Sequence, residues 1–600
     1  MENTVHPEAI YRQEEARLQQ QLQRLKKKQN NLGWLRLAII IVTAVAAFQL
    51  FALSVLAGVV AIVVGIAIFL AVVSMDVNNN NAIQNTQKLL AINRDELKVL
   101  HNDFYHLYDG AQFAPAVHDY AADLDIFGKA SLYQYINRCH SEQGRAMLAQ
   151  NFLEPLTIAE IEERQKAVKE LAPLYNWRQQ LQALSMQTPV TTCTEKQTQL
   201  WLQEEKEHFG GGKWRWIVAV YSAFAVTSAV AAALGYIPTA LFSLLFIIYL
   251  VVSSSLSKRA MQAYAHLGGI VKEVDTLQQL MQWIEGQPFK SALLVRLQQS
   301  VQVAGAPAST QIKSLKNVLG RFDLRLNILV FIFLNSFLLW DVRQMRALNK
   351  WRALNKEKVG QWFRLIAQME VLSSLAALQF NQPNWCFPLF TARHFTFNAT
   401  ELGHPLIPVE SRVTSSFDVE GIAKVALVTG SNMAGKSTFL RSLGVGVVLA
   451  QMGAPVCATS LQLSPVRLMS SMRIADNLAE NTSTFYAELK KLKTIIEAVR
   501  SHQPLFVLLD EILRGTNSLD RHIGSKALIK QMVKEKAVAV IATHDVEIAR
   551  LEEAYPQSIE NYHFDVQVEG EELYFDYKLK HGVCTSLNAS ILMKKIGIEL

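Results

Sequence analysis

Two long apolar stretches dominate the pattern of hydrophobic and polar positions along the chain. Neither residues 37–75 nor residues 216–257 contain an Asp, Glu, Lys or Arg. Each stretch is about 40 residues long, and a membrane-spanning helix needs about 20. The pattern therefore predicts two helical hairpins, four transmembrane helices in all, with turns near Ala57–Gly58 and Gly235–Pro238. Buried core helices are the alternative, which uncharged runs of this length disfavour.

A third apolar run, from Ile328 to Trp340, is shorter. It has about 13 residues, which is too few for a typical span, and it contains Asn335 and Ser336. If this run crossed a membrane, the chain after it would lie on the opposite side from the N-terminus. We expect a buried or interfacial helix here.

Basic residues flank both hairpins. They are Arg24, Lys26, Lys27, Lys28 and Arg36 before the first hairpin, Lys213 and Arg215 before the second, and Lys258 and Arg259 after it. Positive charge favours the cytoplasmic side, and each hairpin returns the chain to the side on which it began. The pattern therefore predicts a multi-pass membrane protein, in the inner membrane if bacterial, with the N-terminus and all segments outside the hairpins in the cytoplasm.

Outside the hairpins, the periodicity changes once along the chain. Leucines and other apolar residues recur at helical spacing in 8–30, 120–205 and 260–380, with a turn or cap signal at Asn78–Asn81. After Asn381–Asn384, strand and helix patterns alternate. We therefore predict a multidomain α and α/β fold, divided into an N-terminal helix 1–34, a first hairpin 35–75, a helical region 76–213, a second hairpin 214–257, a second helical region 258–380 and an α/β ATPase domain 381–600.

Composition adds little to this picture. A chain of 600 residues is too long for a single core. Its net charge of +7 favours neither nucleic acid nor membrane binding strongly and leaves both open. The five cysteines form no CxxC pair or metal-like spacing, so they are interpreted as reduced packing residues.

The richest chemistry follows the apolar run Val425–Val428. The segment has the spacing of a loop that wraps nucleotide phosphates, and it comprises Gly430, Ser431, Asn432, Met433, Ala434, Gly435, Lys436, Ser437 and Thr438. Backbone N–H groups and the following helix N-terminus attract phosphate oxygens, Lys436 would supply a charge, and Ser437 would hold Mg²⁺. A chance glycine-rich turn is the alternative. The pattern predicts ATP binding.

Two further strands end in polar groups. The run Phe506–Leu509 leads into Asp510 and Glu511. Asp510 is suited to hold Mg²⁺, directly or through water, and Glu511 to polarise an attacking water. The run ending at Thr543 leads into His544, which is a candidate for contacting the terminal phosphate or orienting that water. An ordinary acidic turn and a structural histidine are the alternatives.

These motifs together resemble the MutS mismatch-repair ATPases, a branch of the ABC-type ATPases. The loop carries the family's Asn432–Met433 pair, and the segment 510–517 is similar to its Asp-Glu-Ile-Gly-Arg-Gly-Thr-Ser. The other matches, in order, are Gly403–Leu406, Ser483–Phe485 with Glu488, Thr543–His544, and Tyr577–Leu579 with Gly582–Val583. More weakly, residues 120–172, beginning with Asp123–Gly128, look like the family's helical core.

The resemblance implies a second subunit. Ser483 reads first as a helix cap, but the family's Ser-Thr-Phe loop is similar to the ABC signature and reaches the nucleotide of the partner subunit. A homodimer with two composite ATP sites is therefore implied. Arg412 and Val413 fall where the family packs the adenine, and a planar guanidinium can stack on a base.

The chain also departs from the family pattern. We expect no mismatch-reading domain before residue 120 and find no Phe-x-Glu wedge there, since the first hairpin occupies that space, while the second hairpin interrupts the helical region. Leu513 stands where the family usually has glycine, so a changed local turn is expected, although Asp510 and Glu511 remain.

Three functions are open at this point. The first is a membrane-anchored MutS-like ATPase that binds mismatched or structured DNA through its helical core. The second is an ATP-driven membrane switch or scaffold with an unknown protein partner and no repair role, which fits the departures best. The third, an ABC-type transporter, is disfavoured because the predicted spans carry no charge to line a path.

Overall fold

The two apolar stretches form helical hairpins. The computed structural model describes residues 6–203, 209–264, 271–303, 305–431, 434–473, 484–501, 503–569 and 572–584. Helices α1 (Pro7–Phe51) and α2 (Val55–Leu100) form the first hairpin, and α8 (Gly212–Ala233) and α9 (Thr239–Tyr264) the second. By length and composition, these are the four helices of the described chain that could cross a membrane.

The first hairpin extends well beyond its apolar part. The predicted helix over residues 8–30 is confirmed as the start of α1. Arg36 Nη1 lies 3.1 Å from Asp76 Oδ2, and Arg94 Nε lies 2.8 Å from Glu15 Oε1. Since the paired positions run in opposite directions along the sequence, α1 and α2 are antiparallel over most of their length.

Two predicted turns in this hairpin are wrong. The chain reverses at Ala52–Ser54, whereas Gly58 lies inside α2, where an added Cβ would be 2.5 Å from the Phe51 ring. Residues 78–81 also lie inside α2, and Asn79 donates from Nδ2 to Leu25 O of α1 at 3.0 Å. Both signals reflect contact between paired helices. The predicted turn at Gly235–Pro238 is confirmed, with Gly235 at φ 80°.

The other helices before the sheets form most of the remaining α structure. They are α3 (Leu132–Ile136), α4 (Glu142–Leu153), α5 (Ile158–Leu171), α6 (Tyr175–Ser185), α7 (Thr192–Gln203), α10 (Val271–Glu285), α11 (Ala292–Ser300), α12 (Ala308–Asp323), α13 (Ile328–Leu338), α14 (Trp340–Asn355) and α15 (Val359–Asn381). The chain divides into two compact units, which we call the helical unit (Met1–Leu97, Cys139–Arg145 and Asn176–Glu370) and the sheet unit (Lys98–Arg138, Ala146–Tyr175 and Val371–Leu600).

The third apolar run forms α13, which packs against the second hairpin. Asn335 donates from Nδ2 to Ser253 O at 3.3 Å, and Tyr221 donates from its hydroxyl to Ser336 O at 2.9 Å. The flanking helices α12 and α14 return side by side, since Trp351 Nε1 donates to Gln311 O at 2.7 Å. With 11 residues, α13 is too short to span a bilayer. This arrangement agrees with the predicted buried or interfacial helix.

The sheet unit holds two sheets. Its strands are β1 (Leu389–Phe390), β2 (Thr396–Leu402), β3 (Ser415–Glu420), β4 (Lys424–Thr429), β5 (Ser460–Leu463), β6 (Arg467–Ser471), β7 (Leu505–Asp510), β8 (Val538–Thr543), β9 (Ile559–Glu569) and β10 (Glu572–His581). Among these, β1-β5-β2-β3 form the smaller sheet and β10-β9-β4-β8-β7-β6 the larger. Helices α16 (Lys436–Gln451), α17 (Thr484–Arg500), α18 (Ser518–Lys534) and α19 (Leu551–Ala554) follow the larger sheet's strands.

The larger sheet places the polar strand ends together. Strands β9, β4, β8, β7 and β6 are parallel, and only β10 is antiparallel to its neighbour. Strands β7 and β8 are buried at every position, as continuous apolar runs in a parallel sheet should be. Thr429 pairs with Thr543, and Asp510 pairs with Ala542. The segments that follow β4, β7 and β8 therefore begin at one edge of the sheet.

The cysteines are unpaired. Cys139, Cys457 and Cys584 are buried, Cys386 is half-buried and Cys193 is exposed. The burial of three thiols agrees with a packing role.

Candidate functional site

A glycine turn joins β4 to α16 at the sheet edge. Gly430 has φ 144° and Gly435 has φ 104°, conformations that other residues rarely adopt. A Cβ on Gly430 would lie 2.9 Å from Phe564 O, so a larger residue cannot fit. Ala434 is buried beneath the turn. Asn432 and Met433, which are central to the sequence motif, lie outside the described residues.

Lys436 closes this turn. Its Nζ donates to Gly430 O at 2.7 Å and to Ser431 O at 2.8 Å, and the side chain is buried. Burial lowers the pKa of Lys436, while the carboxylates of Glu511 and Asp510 act in the opposite direction. The structure thus holds a positively charged ammonium group inside a loop of backbone atoms, and such an arrangement can bind an anion.

Asp510 lies at the end of β7, next to Ser437. Burial raises the pKa of Asp510, and the nearby Ser437 hydroxyl acts in the opposite direction. Its Oδ1 is buried without a hydrogen-bond partner among the described residues. A carboxylate and a hydroxyl with an open acceptor atom are oxygen ligands of the type that Mg²⁺ uses when phosphates and water complete its shell. The two residues therefore fit a magnesium ion.

Glu511 follows with a left-handed backbone, at φ 45°. Arg514 Nε lies 2.9 Å from Glu511 Oε2, and His544 Nδ1 lies 3.8 Å from Glu511 Oε1. The His544 Nδ1 atom has no hydrogen-bond partner among the described residues. The structure thus brings Glu511 and His544 together and adds Arg514, which the sequence analysis did not single out.

Leu513 keeps a glycine-like backbone. It has φ 62°, and its N–H donates to the buried Glu488 carboxylate. Its side chain fills the space over Gly524, where an added Cβ would lie 2.4 Å from Leu513 Cδ1. Leu513 thus has a left-handed backbone, the conformation that glycine adopts most easily.

A cavity of about 380 Å³ adjoins the glycine turn. Among the residues that line it are Gly435, Ser437, Thr438, Val413, Tyr577 and His404. Burial, followed by the charges of Arg441 and Arg412, lowers the pKa of His404 to about 4, so this ring is neutral at pH 7. The cavity is large enough for a small organic ligand.

Of the two predicted adenine residues, the structure places only Val413 in this cavity. The Arg412 guanidinium donates from Nη2 to Ile407 O at 2.6 Å and from Nη1 to Cys457 Sγ at 3.3 Å. These bonds hold Arg412 away from the cavity. Tyr577 lies there instead, on β10, where the register shifts between Phe575 and Leu579 and Tyr577 has φ 52°. No periodic pattern signals such a bulge.

The segment that resembles the family's helical core contacts β6 and α17, the two elements that precede and follow Ser483 in the sequence. Ser483 itself lies outside the described residues. Asp123 is 1% exposed; it accepts from Ser470 Oγ at 2.7 Å and from the Arg473 N–H at 3.0 Å, and Lys491 Nζ lies 2.6 Å away on α17. Asp123 therefore ties the end of β6 to α17, on either side of residues 474–483.

Replacing Asp123 with asparagine should loosen this tie. Hydrogen bonds to charged groups contribute about 1.5–3 kcal/mol, so we expect local opening of β6 and α17 to become easier by about that much. Amide hydrogen exchange on these elements measures the effect. The matched control is Asp125→Asn, because Asp125 is half-exposed and its pairs with Arg441 and Arg473 are of the solvent-screened type, with a typical value below about 1 kcal/mol. Equal effects of the two variants would contradict the assignment.

The fold and the site together define a class of protein. It is the class of α/β proteins in which a glycine turn links a buried parallel strand to a helix and carboxylates end a neighbouring strand. Residues 426–594 match MutS domain V, and residues 120–190 match MutS domain III. These two matches support a relationship to the MutS family over those residues.

Curated relatives agree over part of the chain. A "DNA mismatch repair protein MutS" of Thermotoga sp. (strain RQ2) is 33% identical over 242 residues, which is 39% of this chain and 29% of the relative. Two proteins of the same name are also similar. The one from Natronomonas pharaonis is 29% identical over 250 residues, which is 40% of this chain and 28% of the relative. The one from Chlorobium phaeovibrioides is 33% identical over 224 residues, which is 36% of this chain and 25% of the relative. The match thus spans under a third of the length of these relatives.

Proposed function

We propose that this protein hydrolyses ATP at the glycine turn. The observation that carries the proposal is the buried Lys436 ammonium, held by the carbonyls of Gly430 and Ser431 beside Asp510 and Glu511. In this proposal the phosphates lie against the turn, including Asn432, Met433 and Thr438. Glu511 accepts a proton from the attacking water, and His544 orients that water or contacts the terminal phosphate.

Ser437 and Asp510 would hold Mg²⁺. When bound, the ion neutralises charge on the phosphate oxygens. Asp510 keeps an acceptor atom free for it, and the Ser437 hydroxyl lies nearby. Arg514, paired with Glu511, restrains the base until ATP is bound.

The adenine would lie in the adjoining cavity between Val413 and Tyr577. Replacing Tyr577 with alanine should raise the Kd for ATP about tenfold, since loss of an aromatic stacking partner costs about 1–3 kcal/mol. It should leave the Kd for inorganic triphosphate unchanged. The control is Tyr574→Ala, on the same strand but outside the cavity. An equal loss of triphosphate affinity in Tyr577→Ala would show that Tyr577 supports the fold and does not contact the base.

A homodimer would complete the site. By family resemblance, Ser483 reaches the ATP of the partner subunit. A mixture of Lys436 and Ser483 variants, each inactive alone, would then recover activity in mixed dimers.

The four apolar helices support membrane anchoring. Basic residues lie at the ends of both hairpins, and α13 is followed by a helix that returns beside α12. We therefore propose that the N-terminus and the ATP site face the cytoplasm. We also propose that the domains of the chain end at residues 34, 75, 213, 257 and 380, as the sequence pattern predicts.

DNA is the proposed effector, because the matches to MutS domains III and V are to a mismatch-repair family. The test is ATP hydrolysis by the full chain in detergent with duplex, mismatched and branched DNA. Coupled sites typically change each other's affinity about 5–150-fold, and contacts with phosphates weaken steeply with salt. Indifference to every DNA, with hydrolysis intact, would favour the membrane switch with a protein partner, for which the four apolar helices are the specific observation.

A further inference from the structure

Four arginines line one groove in the helical unit. The groove has a volume of about 470 Å³ and lies between the start of α8, the end of α12 and the first turns of α14. Its arginines are Arg215, Arg321, Arg343 and Arg346, and no carboxylate is among its lining residues. We call it the arginine groove.

None of these arginines has an anionic partner among the described residues. Arg343 donates from Nε to Leu338 O at 2.8 Å and from Nη2 to Ser222 Oγ at 3.0 Å, which fixes its position. Within the part of the chain that the structure describes, Arg215, Arg321 and Arg346 form no ion pair. Like charges gathered around one cavity repel each other, so an anion in the groove would relieve that repulsion.

The groove lies where polar chain gives way to apolar helix. Arg215, Val218 and Ala219 recur at helical spacing on one face of α8 and line the groove. The adjoining faces of the same helix carry Trp216, Val220 and Phe224, which are 72%, 66% and 60% exposed.

A tryptophan lies near the groove on each of two helices, Trp216 on α8 and Trp340 on α14. Trp340, at the start of α14, is half-buried in the groove and donates from Nε1 to Arg321 O at 2.9 Å. Tryptophan beside basic residues at the end of an apolar helix is typical of the membrane–water interface. The groove therefore combines arginine side chains with an adjoining exposed apolar face of α8.

We propose that the arginine groove binds the phosphate of an anionic phospholipid, with the acyl chains along the exposed apolar face of α8. Guanidinium groups bind phosphate through paired N–H donors, and basic pockets beside cytoplasmic helix ends suit lipid headgroups. The inference rests on the proposed membrane anchoring. A lipid is favoured over nucleic acid because the exposed apolar face would gain nothing from a hydrated sugar–phosphate chain.

The test uses the full chain, delipidated in a neutral detergent. Dioleoyl phosphatidylglycerol or dioleoyl phosphatidylcholine is titrated in, and bound lipid is measured by native mass spectrometry. We expect phosphatidylglycerol to bind at least tenfold more tightly, and Arg321→Gln/Arg346→Gln to remove that preference. Arg343 is left in place because it supports the backbone of α13. Arg321→Lys/Arg346→Lys should retain part of the preference, since charge remains without the paired donors.

The control is Lys350→Gln/Arg364→Gln, which removes the same charge at exposed positions on α14 and α15 that do not line the groove. It should bind phosphatidylglycerol like the wild type. An equal loss in the control, or equal binding of both lipids, would overturn the inference. Displacement of the lipid by millimolar inorganic phosphate would indicate a free-phosphate site, and displacement by duplex DNA would indicate a nucleic-acid site; either result overturns a lipid site.

Failure of the membrane proposal would be seen separately. Vesicle flotation of the wild type in phosphatidylcholine alone reports insertion of the hairpins and does not require the groove. Flotation without a phosphatidylglycerol preference would contradict only the lipid site. Absence of flotation would contradict the membrane anchoring on which the lipid site rests. The thermal unfolding midpoint of each variant shows whether the fold is intact, and a folded glutamine variant that keeps its lipid preference counts against the groove.

Discussion

Replacing Glu511 with glutamine should lower the kcat for ATP hydrolysis about 10²–10⁴-fold, the usual contribution of general acid–base catalysis, while ATP still binds. Glutamine has nearly the same size, and its amide oxygen can still accept from Arg514, so the turn after β7 should persist. It cannot accept a proton from water. Steady-state hydrolysis and equilibrium binding of ATP, both with Mg²⁺, separate the two effects.

The matched control for this variant is Glu497→Gln. Glu497 is an exposed carboxylate on α17, 3.8 Å from Lys493, and its replacement should leave both constants unchanged. Normal turnover in Glu511→Gln would mean that another group activates the water. Loss of ATP binding together with turnover would mean that Glu511 maintains the site and does not act as the base.

The sheet edge could be predicted from local pattern. The runs before Asp510 and His544 are continuous, apolar and ended by polar groups, which is the pattern of strands buried on both faces. Parallel strands place such ends at the same edge of the sheet. The closeness of Glu511 and His544 also requires β7 and β8 to be neighbours, which the sequence pattern does not give, and the pairing of Glu511 with Arg514 accompanies the unusual backbone of Glu511.

The helical hairpin shows why other features could not be predicted. Gly58 and Asn79 are turn formers in isolation, yet both lie within α2, where they contact α1. Glycine removes a side chain so that helices approach, and a buried asparagine satisfies a carbonyl on the neighbouring helix. Both uses depend on a partner distant in sequence, which a local signal does not contain.

The directions of the side chains around the cavity also depend on contacts that a local sequence pattern does not contain. Arg412 and Val413 are adjacent, but the Arg412 guanidinium is held by Ile407 and Cys457 while Val413 faces the cavity. Tyr577 reaches the cavity through a bulge in β10. Leu513 shows the converse: its backbone stays left-handed because a packed side chain and Glu488 hold the turn that glycine would form freely.

Replacing Lys436 with alanine should raise the Kd for ATP about 10–100-fold or more, because a charge-assisted hydrogen bond contributes about 1.5–3 kcal/mol and each 1.4 kcal/mol is tenfold. Glu511→Gln should not weaken binding in this way, so the two variants divide binding from turnover. Equilibrium binding of a fluorescent ATP analogue with Mg²⁺ measures the change. The control is Lys578→Ala, which removes the same charge from an exposed position on β10 outside the cavity.

The stability of Lys436→Ala needs its own measurement, because two opposing effects meet at this residue. Alanine leaves the carbonyls of Gly430 and Ser431 without the ammonium donor, which destabilises the turn, but it also removes a buried charge whose pKa burial already lowers. The effects partly cancel, so the thermal unfolding midpoint should change little while ATP affinity falls. Wild-type affinity in a folded Lys436→Ala would contradict phosphate binding at the glycine turn, since no other lysine or arginine donates to this turn among the described residues.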